Sequence, residues 1–146
     1  MAYFRYGDKN IYYEETGSGF PLILLHGNSV SSKMFTGITD LYNKNFKVIL
    51  IYFLGHGNSD RLAQFPCDFW YDQAMQVIEL ITHNHYGRVN LIGTSGGALA
   101  ALNVALERSE KIFFKNSRIL IVTSLNFKMG SLIYKIRGYT FFVCSP

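Results

Sequence analysis

The pentapeptide Gly-Thr-Ser-Gly-Gly at positions 93–97 constrains the fold of this chain more than any other stretch. It follows the apolar run 89–92 and precedes an Ala- and Leu-rich segment at 98–106. This order predicts a buried strand that turns sharply into a helix, with Ser95 at the apex. Such a turn strains the backbone of the apex residue, so its neighbours must lack bulky side chains. Gly93 and Gly97 meet that requirement, and the Ser95 hydroxyl is expected to be exposed at a helix N-terminus.

The composition is that of one folded domain. The chain has 146 residues, of which 49% are hydrophobic and 16% are charged, and this is enough apolar material for a core. No uncharged apolar run reaches the ~18–20 residues that span a bilayer, and the N-terminus lacks a signal-peptide pattern. We therefore expect a single cytoplasmic domain over 1–146. Cys67 and Cys144 have no metal-like spacing and are expected to be free thiols.

The net charge of +4 is unevenly distributed. Residues 1–110 contain 8 Lys and Arg against 10 Asp and Glu, whereas residues 111–146 contain 6 Lys and Arg and no acid. The basic residues of the second segment are spread out, without a cluster or a helical stripe. We therefore expect no nucleic-acid partner, and we assign 111–146 as a divergent basic and aromatic tail of the domain.

Strand and helix patterns alternate along the chain. The strand-like runs are 3–6, 10–15, 21–25, 46–51, 89–92 and 118–123, and the helix-like segments are 31–42, 72–83 and 98–106. The first two runs predict a hairpin around Gly7-Asp8, and the later ones are continuously apolar, as in parallel strands buried on both faces. The chain is predicted to fold as a doubly wound, mostly parallel α/β sheet with an N-terminal antiparallel hairpin. Its ligand site is expected at the carboxyl ends of the strands.

Three stretches at predicted strand ends resemble those of the α/β-hydrolase fold family, in its serine hydrolase and esterase-like branch. They are Leu-Leu-His-Gly-Asn at 24–28, Gly-His-Gly-Asn-Ser at 55–59 and the pentapeptide at 93–97. The resemblance covers about residues 10–110. It implies that Ser95 is a nucleophile and that the amides of Asn28 and Gly96 form an oxyanion hole. It also implies a small-molecule ester, amide or other carbonyl substrate, with no cofactor and no metal.

The sequence departs from the family pattern in two places. The family usually has an aspartate where this chain has Tyr52, so we expect weaker packing of the loop around that position. The family also places an Asp or Glu, and then a His, after the nucleophile. Here the only acids after Ser95 are Glu107 and Glu110, and no histidine follows His85.

The histidines that precede Ser95 are expected to be structural. His26 and His56 lie in loops at predicted strand ends, and His83 and His85 lie near the end of a predicted helix. A serine without a base is a poor nucleophile. We therefore expect a truncated copy of a serine hydrolase with impaired activity.

Two alternatives remain open, as does the question of whether the chain acts as an enzyme at all. The chain could be a non-catalytic binding or regulatory relic of a hydrolase. A partner chain could instead supply the missing acid and histidine, and the sequence leaves the oligomeric state undetermined.

Overall fold

The computed structural model describes residues 2–108 and the backbone of three further strands at 119–122, 131–136 and 139–144. Over these residues the chain forms one mixed sheet with helices. The strands are β1 (Ala2–Tyr6), β2 (Lys9–Thr16), β3 (Phe20–Leu25), β4 (Phe46–Ile51), β5 (Asn90–Thr94), β6 (Ile119–Val122), β7 (Ser131–Ile136) and β8 (Tyr139–Cys144). The helices are α1 (Thr36–Tyr42), α2 (Phe69–His83) and α3 (Gly96–Glu107), and a short 3-10 helix (Ser32–Phe35) precedes α1.

The strand order in the sheet is β1-β2-β4-β3-β5-β6-β8-β7. The central pairs β4–β3, β3–β5, β5–β6 and β6–β8 are parallel, whereas β1–β2, β2–β4 and β7–β8 are antiparallel. In the sheet, β4 lies on one side of the β3–β5 pair and β6 lies on the other side. The connection from β3 to β4 and the connection from β5 to β6 therefore run in opposite directions across the sheet. Strand order therefore reverses between β3 and β5, and open α/β sheets bind ligands outside the carboxyl ends of strands at such a reversal.

Two hydrophobic clusters cover the two faces of the sheet. Alternate residues of β3 belong to different clusters, with Ile23 and Leu25 in one and Leu22 and Leu24 in the other. The larger cluster includes the buried faces of α2 and α3, and the smaller one includes Phe35 of the 3-10 helix. Because successive side chains of a strand point to opposite faces, this division makes a layered α/β domain with helices on both sides.

The predicted fold class is confirmed, with differences at three elements. Helix α2 begins at Phe69 rather than at Asp72. In the first helical segment, the apolar residues Met34, Ile38 and Leu41 recur at helical spacing, yet all three are exposed. The hairpin β7–β8 was not predicted, although aromatic and β-branched residues on both sides of Gly138 are a strand signal.

Two buried side chains hold the first helical segment on the sheet instead. Phe35 packs in the smaller cluster, and the buried Ser32 hydroxyl donates a hydrogen bond to the Ile51 carbonyl at the end of β4. Ser32 therefore joins the segment after β3 to the end of β4. The local sequence pattern cannot predict this contact, because the contact depends on the pairing of β4 with β3.

The imidazole of His26 joins the loops that follow β3 and β4. Its Nδ1–H donates to the Gly27 carbonyl at 2.8 Å, and its Nε2 accepts the Phe53 amide at 3.2 Å. The ring is fully buried, and this burial lowers the pKa of His26 to about 4. Protonation would place a second donor against the Phe53 amide, so the fold needs the neutral ring.

Helix α3 begins in close contact with the end of β3. A methyl group on Gly97 would overlap the Leu25 carbonyl oxygen and would stand 2.6 Å from that of His26. A methyl group on Gly93 would overlap the Gly97 carbonyl oxygen. The atoms that a methyl group would meet at either position are backbone atoms, which cannot move aside as the end of a flexible side chain can. Both positions therefore require glycine.

We expect Gly97→Ala to destabilise the fold by about 3 kcal/mol or more, because its methyl group meets rigid backbone. The matched control is Gly37→Ala in the exposed part of α1, where a methyl group has nothing within 4 Å. That change is expected to stabilise the fold by about 0.5–1 kcal/mol. Urea denaturation of both variants measures the difference. Equal stabilities would contradict the close approach of α3 to β3.

We expect His26 to make the fold less stable in acid. Its pKa in the folded protein lies below that of the unfolded chain, so its contribution is complete above about pH 6.5 and is lost as pH falls towards 4. The loss is about 2 kcal/mol between pH 7.5 and pH 5. Urea midpoints of the wild type, His26→Asn and the control His85→Asn measure it. The pH dependence should shrink only in His26→Asn; an unchanged slope in that variant would refute the buried neutral ring.

Candidate functional site

Ser95 stands at the apex between β5 and α3 in a strained backbone conformation. Its φ is 52° and its ψ is −122°, a combination that residues with a side chain rarely adopt. It is the N-cap residue of α3, its side chain makes no capping hydrogen bond, and the residue is exposed. The structure thus confirms the sharp strand–turn–helix that the pentapeptide predicts, with the hydroxyl group at the sheet edge.

The structure brings Asn28 and Gly96 to the same place as Ser95. A methyl group on Gly27 would stand 3.0 Å from the Ser95 Cβ and 3.6 Å from its Oγ. A methyl group on Gly96 would stand 2.5 Å from the Asn28 Oδ1. The loop after β3 and the first turn of α3 therefore lie against each other around the serine.

The electrostatics of this position favour negative charge. The first amides of a helix have no partner within the helix, and the helix dipole places partial positive charge there. Gly96 is the first residue of the twelve-residue helix α3. An oxygen that gains negative charge next to the Ser95 Oγ would be stabilised by these donors.

The histidines differ in what their ring nitrogens do. Both nitrogens of His26 bond to backbone groups, so neither is available to accept a proton from Ser95. His56 uses Nδ1 to donate to the Leu54 carbonyl at 3.1 Å, and its ring lies 4.8 Å from that of His26. His83 ends α2 and His85 follows it, just before β5 begins and therefore at the opposite edge of the sheet from Ser95.

The acids after Ser95 are not placed to support a histidine. Glu107 is the last residue of α3, twelve positions after Ser95, which places it roughly 18 Å from the apex along the helix axis. Glu110 lies outside the described residues. Within residues 2–108, then, no histidine or carboxylate side chain forms a hydrogen bond with the Ser95 hydroxyl.

A cavity of about 720 Å³ opens next to Asn28. Its walls come from the loop after β3, the turn after β4 and the segment leading into α2. The lining residues are Asn28, Ser29, Val30, Ser31, Gly55, His56, Gly57, Phe65 and Phe69. Asn28 and the Gly-His-Gly stretch at 55–57 belong to the motifs seen in the sequence, whereas the two phenylalanines lie in a predicted connecting stretch with no periodic pattern.

Trp70 is a further neighbour of the site that the sequence analysis missed. A methyl group on Gly96 would stand 2.9 Å from its Nε1, so the indole lies at the first turn of α3. It reaches that place from the first turn of α2, which packs against α3. Only the packing of the two helices places it there, and no local pattern identifies it.

Tyr52, which stands where the family usually has an aspartate, is well packed in this structure. Its side chain is buried, its hydroxyl donates to the Glu14 carboxylate at 3.2 Å and its ring packs 5.1 Å from that of Tyr12. The buried Ser59 hydroxyl donates to its carbonyl group. These contacts hold the loop after β4, so the expectation of weak loop packing is not supported.

The described residues offer no group of three or more His, Cys, Asp or Glu side chains that could hold a metal ion. In the same part of the chain, no helix has the length and the apolar composition needed to cross a membrane.

The comparisons with known proteins agree with this fold. A family model described as the alpha/beta hydrolase fold matches residues 21–132. The (E)-2-((N-methylformamido)methylene)succinate hydrolase of Acinetobacter baylyi is 29% identical over 106 residues, which are 72% of this chain and 39% of that protein. The pimeloyl-[acyl-carrier protein] methyl ester esterase of Nitrosomonas europaea is 29% identical over 103 residues, which are 70% of this chain and 38% of that protein.

Among solved structures, one titled "Est816 as an N-Acyl homoserine lactone degrading enzyme" superposes with a TM-score of 0.74 at 24% identity, covering 82% of this chain and 44% of that one. A marine microorganism esterase superposes with a TM-score of 0.69 at 26% identity, covering 77% and 41%. The chain thus spans about two fifths of the length of these proteins. With the family model covering most of its residues, this chain belongs to the α/β-hydrolase fold family.

Proposed function

We propose that this chain is a serine hydrolase in which Ser95 attacks the carbonyl carbon of a small ester, amide or thioester. The backbone amides of Asn28 and Gly96 would hold the oxyanion. The strained conformation of Ser95 at the N-terminus of α3 carries the proposal, because it exposes a hydroxyl beside unpaired amides. The hydrolase and esterase activities named for the relatives support it. We also propose that residues 1–146 belong to one domain, with 111–146 as its divergent part.

The chemistry follows the usual course of acyl transfer. The Ser95 Oγ forms a bond to the carbonyl carbon, and the carbonyl oxygen takes the electron pair and becomes the oxyanion. When the oxyanion collapses, the bond to the leaving alcohol, amine or thiol breaks. Water then attacks the acyl-serine, releases the acid and restores the hydroxyl group.

Proton transfer limits the rate in this scheme. The Ser95 proton must leave as the new bond forms, and His26 cannot accept it because both of its nitrogens are bonded to the backbone. Without a base the proton passes to water or hydroxide. Preorganised amides alone leave a residual acceleration of about 10³–10⁴ over the uncatalysed reaction.

A non-catalytic binding function is the second candidate. It is favoured because no histidine or carboxylate within residues 2–108 forms a hydrogen bond with the Ser95 hydroxyl. In that case the site binds a carbonyl compound without turnover. Measurements of labelling and of turnover separate the two candidates.

We expect a fluorophosphonate probe to label the wild-type chain slowly at Ser95, because the exposed hydroxyl lies next to oxyanion donors but has no base to take its proton. Ser95→Ala should abolish the labelling. The matched control is Ser18→Ala, an exposed serine before β3 and therefore at the opposite edge of the sheet. Peptide mass spectrometry after labelling identifies the modified residue. Labelling that persists in Ser95→Ala, or is absent from the wild type, would contradict the nucleophile assignment.

We also expect slow hydrolysis of 4-nitrophenyl acetate whose rate rises steadily with pH. A histidine base would instead produce an inflection between about pH 6 and pH 7. A pH–rate profile of the wild type, with Ser95→Ala as the background, distinguishes the two. An inflection that disappears in Ser95→Ala would show that a histidine base acts on Ser95. The absence of turnover in both proteins would favour the binding function.

A further inference from the structure

The cavity next to Asn28 has the properties of a small-molecule site. Its volume of about 720 Å³ falls in the range of pockets that enclose ligands. Val30 and Phe65 contribute apolar walls although 42% and 49% of their surfaces are exposed. Apolar surface of this kind is stabilised when a ligand covers it, at roughly 25 cal/mol per Å².

Phe65 and Phe69 form an aromatic wall of this cavity, and contacts with each other and with the turn after β4 hold it in place. The rings of Phe65 and Phe69 meet edge to face with their centroids 5.1 Å apart. Phe65 also rests on the turn after β4, where a methyl group on Gly55 would stand 2.9 Å from its Cζ. The wall is thus held between the start of α2 and that turn.

His56 gives the cavity one specific polar group. Its Nδ1–H donates to the Leu54 carbonyl, so in the neutral ring Nε2 is a hydrogen-bond acceptor. His26, whose ring lies against it, has both nitrogens occupied by backbone groups. The described residues provide no hydrogen bond to the Nε2 of His56, so this nitrogen is left for a ligand.

We propose that the cavity formed by Asn28, Val30, His56, Phe65 and Phe69 binds an apolar acyl or alkyl chain that carries a hydroxyl or amide N–H group, and that His56 Nε2 accepts this hydrogen bond. His56 is then a specificity-determining residue and not a catalytic one. The inference rests on the proposed function in one respect. Asn28 both lines the cavity and lies against Gly96, the residue after Ser95, so the bound chain is the part of the substrate adjacent to the reacting carbonyl.

Trp70 provides a readout that does not depend on turnover. It is the single tryptophan of the chain, and its ring centroid lies 6.4 Å from that of Phe69. We therefore choose titration of the full chain with 1-hexanol or 1-methoxypentane, followed by Trp70 emission. The two probes have the same number of heavy atoms, but only the alcohol donates a hydrogen bond. Both should change the emission saturably, with the alcohol binding about three- to tenfold more tightly.

Three variants locate the binding. His56→Phe should remove the preference for the alcohol, and Phe65→Ala should weaken the binding of both probes. Leu41→Ala, an exposed apolar residue of α1 outside the cavity, should change neither. The folding of each variant is checked by circular dichroism, and Phe65→Ala still tests the cavity if His56→Phe does not fold.

The outcomes distinguish this inference from the proposed function. The absence of a saturable emission change with either probe would overturn the cavity as a binding site, and an alcohol preference that persists in His56→Phe would overturn the role of His56. Ser95→Ala should bind both probes like the wild type. If Ser95 resists the fluorophosphonate while both probes bind, the nucleophile assignment fails and the cavity stands.

Discussion

The close approach of α3 to the end of β3 is the constraint on which the rest of the site depends. The backbone of Gly97 lies directly against the carbonyl groups of Leu25 and His26, with no side chain between them. This contact brings the loop after β3 to the first turn of α3. It also forces the chain to reverse within a few residues, which holds Ser95 at a φ of 52°. The exposure of the hydroxyl and the position of the helix amides are both consequences of one backbone contact.

The loops around this contact are held by polar groups that must keep one protonation state or one orientation. His26 bonds to the backbone through both nitrogens and is fully buried, which keeps it neutral. Ser32 and Ser59 donate to the carbonyl groups of Ile51 and Tyr52 at the end of β4. Such bonds stabilise modestly when made and cost about 1–3 kcal/mol when one partner is lost. They therefore specify the loop geometry more than they add to stability.

His26 and His56 show how two histidines with adjacent rings take different roles. The first is a structural element because every polar atom of its ring is used by the fold. The second bonds to the fold through one nitrogen, which leaves the other for a ligand. The amino-acid type is the same in both cases, and the sequence context, a Gly-flanked loop at a strand end, is nearly the same. The two rings thus differ in the number of bonded nitrogens and in burial, since His26 is fully buried and His56 is partly exposed.

The local sequence determines the central strands and the sharp turn at Ser95, because the residues that cause each of them are neighbours in the chain. The apolar runs of β3 and β4 are buried on both faces, that of β5 is buried on one face and partly buried on the other, and the small residues at 93–97 allow a sharp turn. The α/β fold and the apex serine therefore follow from the chain itself. Tertiary structure decides what these elements meet. Phe65, Phe69 and Trp70 reach the site because α2 packs beside α3, and Ser32 bonds to β4 instead of capping a helix. The physical reason is that periodicity reports which face of an element is apolar, whereas the partner of a polar or aromatic side chain depends on the position of residues distant in the sequence.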